Sequence, residues 1–575
     1  MTARRLITAL IGVAAVCAAA APSALAHASL VHTDPSASAT VDRSPKRVVL
    51  TFSEPVSPRF AIVSVTDARG RQRATARPEQ ADGDSHAVSV PVQTLEPGWY
   101  LVYWRAISAD GHPVRGAFTF AVGPNAGPAP QFAIPSLSET AATTPLVVAR
   151  WSAILTVMLA VGLFVLRALI ARPGGELDAF ALRRVEAGLA AAAVAALVAI
   201  PVYLLLVTSE FALESAWNIG SLVPLARSSS LGRALVDLEA VFALFALAAG
   251  AALALDRPGR ARRSVAAILA LIGAGLASGA LLLVPGIGGH PAQTSPAALS
   301  LALDWLHLLA GSVWFGGLVG LLLLVGRGPA RWVLMSRVVP RFSKVALGCV
   351  ILLVATGTGA AILQLPTVSS LWQTSYGKAI LVKLGLLLVA GILGGLNLAR
   401  TTPRLGAAAV RRDERLGSSA VALLRRTVRG EVMLVAGIVL AAAVLTSLPP
   451  PPKAIAEVGS IDAHVGPGAV RRTVHRGGYE VTVGIEPNRA ATPNVFEVRL
   501  SRDGRGVTGA SVVARFLMLD MEMGTLAYRL PERSPGVYAR TAPALVMVGR
   551  WGLRYEITPP GGRPFDVVLL DRAEG

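Results

Sequence analysis

The chain is 575 residues long, 53% hydrophobic and 15% charged, with a formal net charge of +19. The length excludes a single domain, and the composition excludes an ordinary soluble protein in favour of a membrane protein. The positive charge does not indicate nucleic acid, because the arginines cluster in alternate loops between apolar segments, which is a topology signal.

Residues 1–26 read as a secretory signal peptide: Arg4 and Arg5 open it, Leu6 to Ala21 form the apolar core, and Ala24 and Ala26 place small residues at the cleavage site. Cleavage there leaves His27 as the first residue. Its α-amine and imidazole can then close one chelate ring on a metal such as copper, zinc or nickel. The plainer alternative is a histidine exposed by chance. Of two cysteines, Cys17 lies in this segment, so the mature chain keeps Cys349 and forms no intramolecular disulfide. Lipidation at Cys17 would leave no free His27, and Val16 before it is a poor lipobox residue.

Residues 27–123 alternate in the manner of strands, as in Arg47 to Phe52, Ala61 to Val65, Ala87 to Val90, Tyr100 to Trp104 and Ala117 to Ala121. Short strands separated by turns such as Glu96-Pro97-Gly98 predict a small Ig-like or Greek-key β-sandwich. Within it, Asp110-Gly111-His112 sets a carboxylate and an imidazole on one side of an extended segment. With the amine and imidazole of His27 they make three nitrogens and one oxygen, a set suited to tetragonal Cu(II). An ordinary Asp-Gly turn with a surface histidine is the competing reading.

Residues 124–145 are a Pro-, Ala-, Ser- and Thr-rich linker. Residues 146–448 then hold eight apolar segments, near 146–167, 185–208, 233–255, 264–285, 301–326, 343–364, 378–399 and 430–448, each long enough to cross a bilayer. The loops after the first, third, fifth and seventh carry the arginines, among them Arg172, Arg260, Arg331 and Arg412. The positive-inside rule puts these loops in the cytoplasm and both chain ends outside, in agreement with the signal peptide. The expected location is the plasma or inner membrane, multi-pass, with both terminal domains extracytoplasmic.

The membrane region holds two histidines, His290 in the outer loop before the fifth segment and His307 about two turns inside it. Asp304 lies one turn from His307 on the same face. Intramembrane ionisable residues are costly and usually functional, so Asp304, His307 and His290 form an expected outward cation-transfer site. A purely structural helix cross-link is the alternative, with Lys383 as a partner for Asp304. Residues 449–575 begin with a proline spacer and become strand-like again, predicting a second outer β-sandwich. There Met518, Met521 and Met523 are candidates for Cu(I) contact, because thioethers favour that ion, although methionine is also good core filler.

Three resemblances join these segments. The stretches His27 to Val31, Leu50 to Val56, Tyr100 to Arg105 and Ser108 to Gly116 resemble the periplasmic copper-binding protein CopC. That resemblance implies a Cu(II) site at His27, Asp110 and His112. No methionine lies between Met1 and Met158, so the methionine-rich Cu(I) site of some members is missing, and His32 and His86 are expected to be surface histidines. Gly289-His290-Pro291, Asp304 to Gly317 and Tyr376 to Lys383 resemble CopD, the inner-membrane partner, and residues 518–525 resemble a YtkA-like β-domain. CopC fused to CopD with an outer β-domain is the architecture of YcnJ-type copper proteins.

The implied function is Cu(II) capture outside and passage through the membrane domain for copper uptake and homeostasis, with copper ions and the lipid bilayer as partners. No chaperone or reductase is identified by the sequence. It is not read as an enzyme, and because neither a P-loop Gly-x4-Gly-Lys-Ser/Thr nor a phosphorylatable Asp-Lys-Thr-Gly-Thr is present, any transport is expected to be passive or driven by an ion gradient. Extracytoplasmic copper buffering or resistance without transport is the first alternative. A copper redox enzyme and a b-type haem protein follow, disfavoured by Asp110 beside the copper and by the loop position of His290.

Overall fold

The computed structural model describes residues 28, 30–37, 39–108, 113–124, 143–170, 179–215, 217–256, 263–325, 331–448, 461–490, 492–519 and 526–574. They divide into two compact units, one helical over the middle of the chain and one made jointly of the β-rich regions from its two ends. The two β-regions expected from the sequence lie together in this second unit.

Among the described residues the N-terminal part of the β unit has eight strands: β1 (Leu30–Asp34), β2 (Thr40–Val41), β3 (Arg47–Phe52), β4 (Ile62–Asp67), β5 (Glu79–Gln80), β6 (Ala87–Pro91), β7 (Gly98–Ile107) and β8 (Pro113–Val122). They form two four-stranded sheets, ordered β1-β3-β6-β5 and β2-β8-β7-β4. In β3 the apolar residues Val48, Leu50 and Phe52 alternate inward, as a half-buried strand requires. They meet Val65, Val88, Val102, Trp104, Phe118 and Phe120 in the core. Each fully buried side chain of this size contributes about 1.5–3 kcal/mol relative to exposure.

Asp67 closes the turn after β4. Its Oδ1 accepts from the Arg69 and Arg71 N–H groups, each at 2.9 Å, and its Oδ2 pairs with Arg73 at 2.6 Å and Arg71 at 2.8 Å. Burial favours the neutral acid, but the hydrogen bonds from Arg71, Arg73 and Arg69 outweigh it and hold this carboxyl well below the usual range.

The C-terminal part adds β9 (Ala463–Val465), β10 (Val470–Arg476), β11 (Tyr479–Glu486), β12 (Asn494–Arg502), β13 (Arg505–Gly506), β14 (Ser511–Met518), β15 (Leu526–Leu530), β16 (Glu532–Ser534), β17 (Val537–Ala542), β18 (Gly549–Thr558) and β19 (Phe565–Ala573). One sheet runs β10-β11-β12-β17-β16 with β13 on β12, the other β15-β14-β18-β19-β9. Both β-sandwich expectations are met. The strands expected at Tyr479, Val495, Ser511 and Trp551 fall within β11, β12, β14 and β18.

Among the described residues the helical unit has eight helices long and apolar enough to cross a membrane: Thr144–Leu169, Ala181–Ala212, Ser230–Leu255, Val265–Ile287, Ala297–Val325, Trp332–Gln364, Ser375–Arg411 and Glu414–Leu445. All eight expected segments are found. The eighth begins well before residue 430, because the arginine-rich stretch after Glu414 is also helical. The first and fifth spans are the most enclosed, 61% and 67% buried. They cross closely where Gly162 meets Gly316: a Cβ on Gly162 would stand 2.7 Å from the Gly316 Cα. Small residues let backbones approach in this way in membranes.

Two polar clusters mark the ends of the bundle. Arg150 of the first span donates to the Tyr203 hydroxyl at 2.7 Å and to Ser447 Oγ at 2.7 Å, tying it to the second span and the end of the eighth. At the opposite end of the first span the fully buried Arg167 pairs with Glu186 at 2.8 Å and Asp256 at 3.0 Å, and Arg263 holds Asp256 at 2.9 Å. The ends of the first and third spans thus meet the starts of the second and fourth, in keeping with up-and-down threading of these four.

Candidate metal centre

The β7–β8 hairpin carries the outer candidate site. Its strands pair without interruption from Gly98 with Val122 to Ile107 with Pro113, and Asp110 and His112 lie in the sequence between them. Those two residues and His27 lie outside the described residues. The described frame is closely packed. Leu30 of β1, three residues after His27, pairs with Phe52, and Phe52 meets Trp104 edge-on at 5.3 Å and 73°. Trp104 lies flat against Gly116, where a Cβ would come within 2.7 Å of its ring. Only glycine admits that contact, three residue pairs from the hairpin turn. His32 is exposed, as expected of a surface histidine. His86 is half-buried, with its Nδ1 3.3 Å from Asp84 Oδ1.

In the membrane unit, Asp304 and His307 both lie on the enclosed fifth span. His307 Nδ1 is 2.9 Å from Thr356 Oγ1. The Thr356 hydroxyl gives its one proton to the Leu352 carbonyl at 2.7 Å, so it accepts from His307 Nδ1–H. That leaves the lone pair on Nε2, and Lys383 Nζ of the seventh span stands 3.3 Å from it. Lys383 also interacts electrostatically with Asp304, as the sequence suggested. A Cβ on Gly286 would come 2.9 Å from Asp304 Oδ2, so the glycine makes room for the carboxylate beside the fourth span.

His290 is buried at the start of a short helix, His290–Gln293, where Thr294 Oγ1 donates to its carbonyl at 2.9 Å. Among the described residues no group of three His, Cys, Asp or Glu side chains is gathered closely enough to hold a metal ion. His290, Asp304 and His307 are therefore not assembled as one three-ligand centre here: the ring nitrogen of His307 that would bind faces the Lys383 ammonium instead.

Met518 is 1% exposed and pairs across the sheet with Trp551, which is the position of core filler. Met521 and Met523 lie outside the described residues. Sequence reading missed a further intramembrane carboxyl: Glu431 of the eighth span, 3% exposed, accepts from Asn397 Nδ2 at 2.5 Å. Thr427 and Thr401 in turn donate to Asn397 Oδ1. A lone glutamate in an apolar segment was the available signal.

Three protein-family models match in order along the chain: CopC domain at residues 30–123, Copper resistance protein D at 336–445 and YtkA-like at 474–556. The Copper transport protein CutJ of Bacillus subtilis is 26% identical over 541 residues, covering 92% of this chain and 93% of its own. Copper resistance protein C of Xanthomonas campestris pv. juglandis is 37% identical over 127 residues, 21% of this chain and 96% of its own. The crystal structure of CopC from Methylosinus trichosporium OB3b is 29% identical, covers 19% of this chain and 100% of that one, with a TM-score of 0.16. The chain thus belongs to the CopC family through its N-terminal domain, and with Copper resistance protein D and YtkA-like domains following in order it is a CopC–CopD fusion homologue.

Proposed function

We propose that this protein captures Cu(II) outside the cytoplasmic membrane and passes copper to its membrane domain for uptake. The observation that carries the reading is the succession of a CopC domain, eight apolar spans with a Copper resistance protein D match, and a relative named a copper transport protein matching over almost the whole chain. Signal cleavage after Ala26 frees the His27 amine. That amine, the His27 imidazole, Asp110 and His112 hold Cu(II), and the β7–β8 hairpin supports the latter two by its fixed register. Signal cleavage is then also an activation step.

Asp304 and His307, with His290, receive copper in the membrane. The tautomer imposed by Thr356 supports His307 as a ligand through Nε2, once Lys383 has moved aside. Met521 and Met523 remain the thioether candidates for Cu(I). The reading is of a carrier, with both terminal domains extracytoplasmic and the arginine-rich loops cytoplasmic.

N-terminal sequencing of the mature protein, followed by Cu(II) spectroscopy of wild type and His27→Ala, tests the capture site. A first residue other than His27 removes two of the four ligand atoms and sinks it. Cell copper in a deletion strain under copper limitation tests transport, and unchanged accumulation favours buffering instead.

A further inference from the structure

Strand β8 has two edges of unequal fate. One pairs with β7 along its whole length. On the other, β2 covers Ala121 and Val122 alone, which would leave most of a ten-residue strand, including the apolar run Ala117-Phe118-Thr119-Phe120, as an open edge. Open apolar edges invite pairing with other chains. Here the edge is met by residues of the C-terminal region, some 430 positions later. Phe118 forms an antiparallel bridge with Met547, and the Val548 N–H donates to the Ala117 carbonyl at 3.4 Å.

The contact is anchored on both sides. Ala117 and Phe118 are 0% and 1% exposed, and Met547 and Val548 are 4% and 5%. The Met547 carbonyl accepts from Trp551 Nε1 at 3.0 Å, which ties the docking segment to β18 of its own sheet. One apolar cluster runs from the N-terminal core through Phe118 and Met547 into the C-terminal core.

We infer that the C-terminal β-domain is the built-in partner of the N-terminal domain, added to its β8 edge by strand pairing, and that through β8 it steadies the hairpin bearing Asp110 and His112. The second half rests on the reading of those residues as Cu(II) ligands. The covalent path between the two partners passes through eight spans. An even number returns the chain to the side it left, as the docking requires. Joining both ends of the membrane block to one body also restrains the capture domain by two tethers instead of one, which raises its effective concentration near its target.

The test uses the full chain in lipid nanodiscs. Val548→Pro deletes the N–H that reaches Ala117. Hydrogen exchange of the peptide covering residues 113–122 should quicken at least tenfold in this variant and in a chain ended at residue 460; equal exchange in all three overturns the docking. Because the proline could disturb β18 itself, a second variant carries Phe118→Cys, Met547→Cys and Cys349→Ser with a protease site in the loop between the fifth and sixth spans. After cutting, oxidised protein should run as one species and reduced protein as two, since narrow antiparallel pairs lie at about the Cα spacing a disulfide needs. Two species under oxidising conditions overturn the docking. Cu(II) dissociation should be several-fold faster in Val548→Pro. An unchanged rate, with His27→Ala still abolishing Cu(II) binding, overturns the coupling and leaves the capture site intact. Persistence of Cu(II) binding in His27→Ala overturns the capture site and leaves the docking to the exchange and cross-linking results.

Discussion

Lys383 Nζ lies 3.3 Å from His307 Nε2. The ammonium thus sits on the lone pair that a copper ion would use, within electrostatic reach of Asp304. A cation arriving at His307 competes with a tethered cation already present, so the two cannot occupy the ring nitrogen together. His307→Ala is expected to abolish copper accumulation, and Lys383→Met to tighten binding of Ag(I), a soft stand-in for Cu(I), by at least severalfold. Thr356→Val leaves the Nδ1–H without its acceptor, at a cost of about 1–3 kcal/mol, and should weaken binding through loss of ring orientation. Silver titration of the purified protein and cell-copper measurements check these. Unchanged silver affinity in both His307→Ala and Lys383→Met would remove His307 from the path.

Two carboxyls in the β unit respond to pH in opposite directions. Burial pushes the Asp571 carboxyl up to about 6, against hydrogen bonds from Asn488 and the Arg572 N–H. The folded chain therefore holds a proton that the unfolded chain has released, between about pH 4 and pH 6. Stability contributed here is present below that window and is lost as pH rises through it. Asp571→Asn should raise the melting temperature at pH 7.5 by several degrees and leave it little changed at pH 4.5. For Asp67, whose carboxyl is held below its ordinary range, the sign reverses: its contribution is full above about pH 4 and fades under more acidic conditions. Asp67→Asn should cost about 1–3 kcal/mol at neutral pH. Calorimetry of the full chain across pH reads both.

The elements that announce themselves locally were legible in the sequence. Eight long apolar runs became eight spans, and the alternation of Val48, Leu50 and Phe52 became β3 with its expected ends. Two-residue strands such as β2 and β5 carry too little pattern to be seen. The contact of Met547 with Phe118 was invisible for a different reason: the segment before β18 reads as an irregular connection, and its partner strand was complete on its own terms. Strand-edge docking is a tertiary property of both. Arg167 stands at the end of the first apolar run, where the sequence alone marks it as one more loop charge. Its fully buried pairing with Asp256 depends on how the first and third spans meet. Lys383 was expected beside Asp304, but its 3.3 Å contact with His307 follows from helix rotation, which composition does not encode.

That Arg167 network yields a third prediction. Its guanidinium is 0% exposed and bridges Glu186 and Asp256. Removing one member of a buried ion pair strands the other, typically at 3–5 kcal/mol. Arg167→Met should therefore lower the unfolding temperature in detergent sharply. Arg167→Met with Asp256→Leu should recover part of that loss, because the stranded charge is gone as well. A double variant less stable than the sum of the single ones would show that Asp256 acts mainly through Arg263.

Gly116 offers the most direct link between packing and copper. Its α-carbon faces the Trp104 ring so closely that a Cβ would stand 2.7 Å from Cζ2 and 2.9 Å from Cε2. Trp104 is 1% exposed and also meets Phe52 edge-on at 5.3 Å, so a shift of the ring has to displace packed neighbours. Gly116→Ala must then be accommodated by β8 moving away from β7, at a cost of about 1–3 kcal/mol for overpacking. The strain falls three residue pairs from the turn bearing Asp110 and His112. Cu(II) bound there should show altered spectroscopic parameters and a several-fold weaker affinity, while Gly70→Ala, at a turn elsewhere in the same domain, should cost stability without touching the Cu(II) spectrum. Identical spectra for wild type and Gly116→Ala would show that the hairpin stem does not control the geometry of its turn.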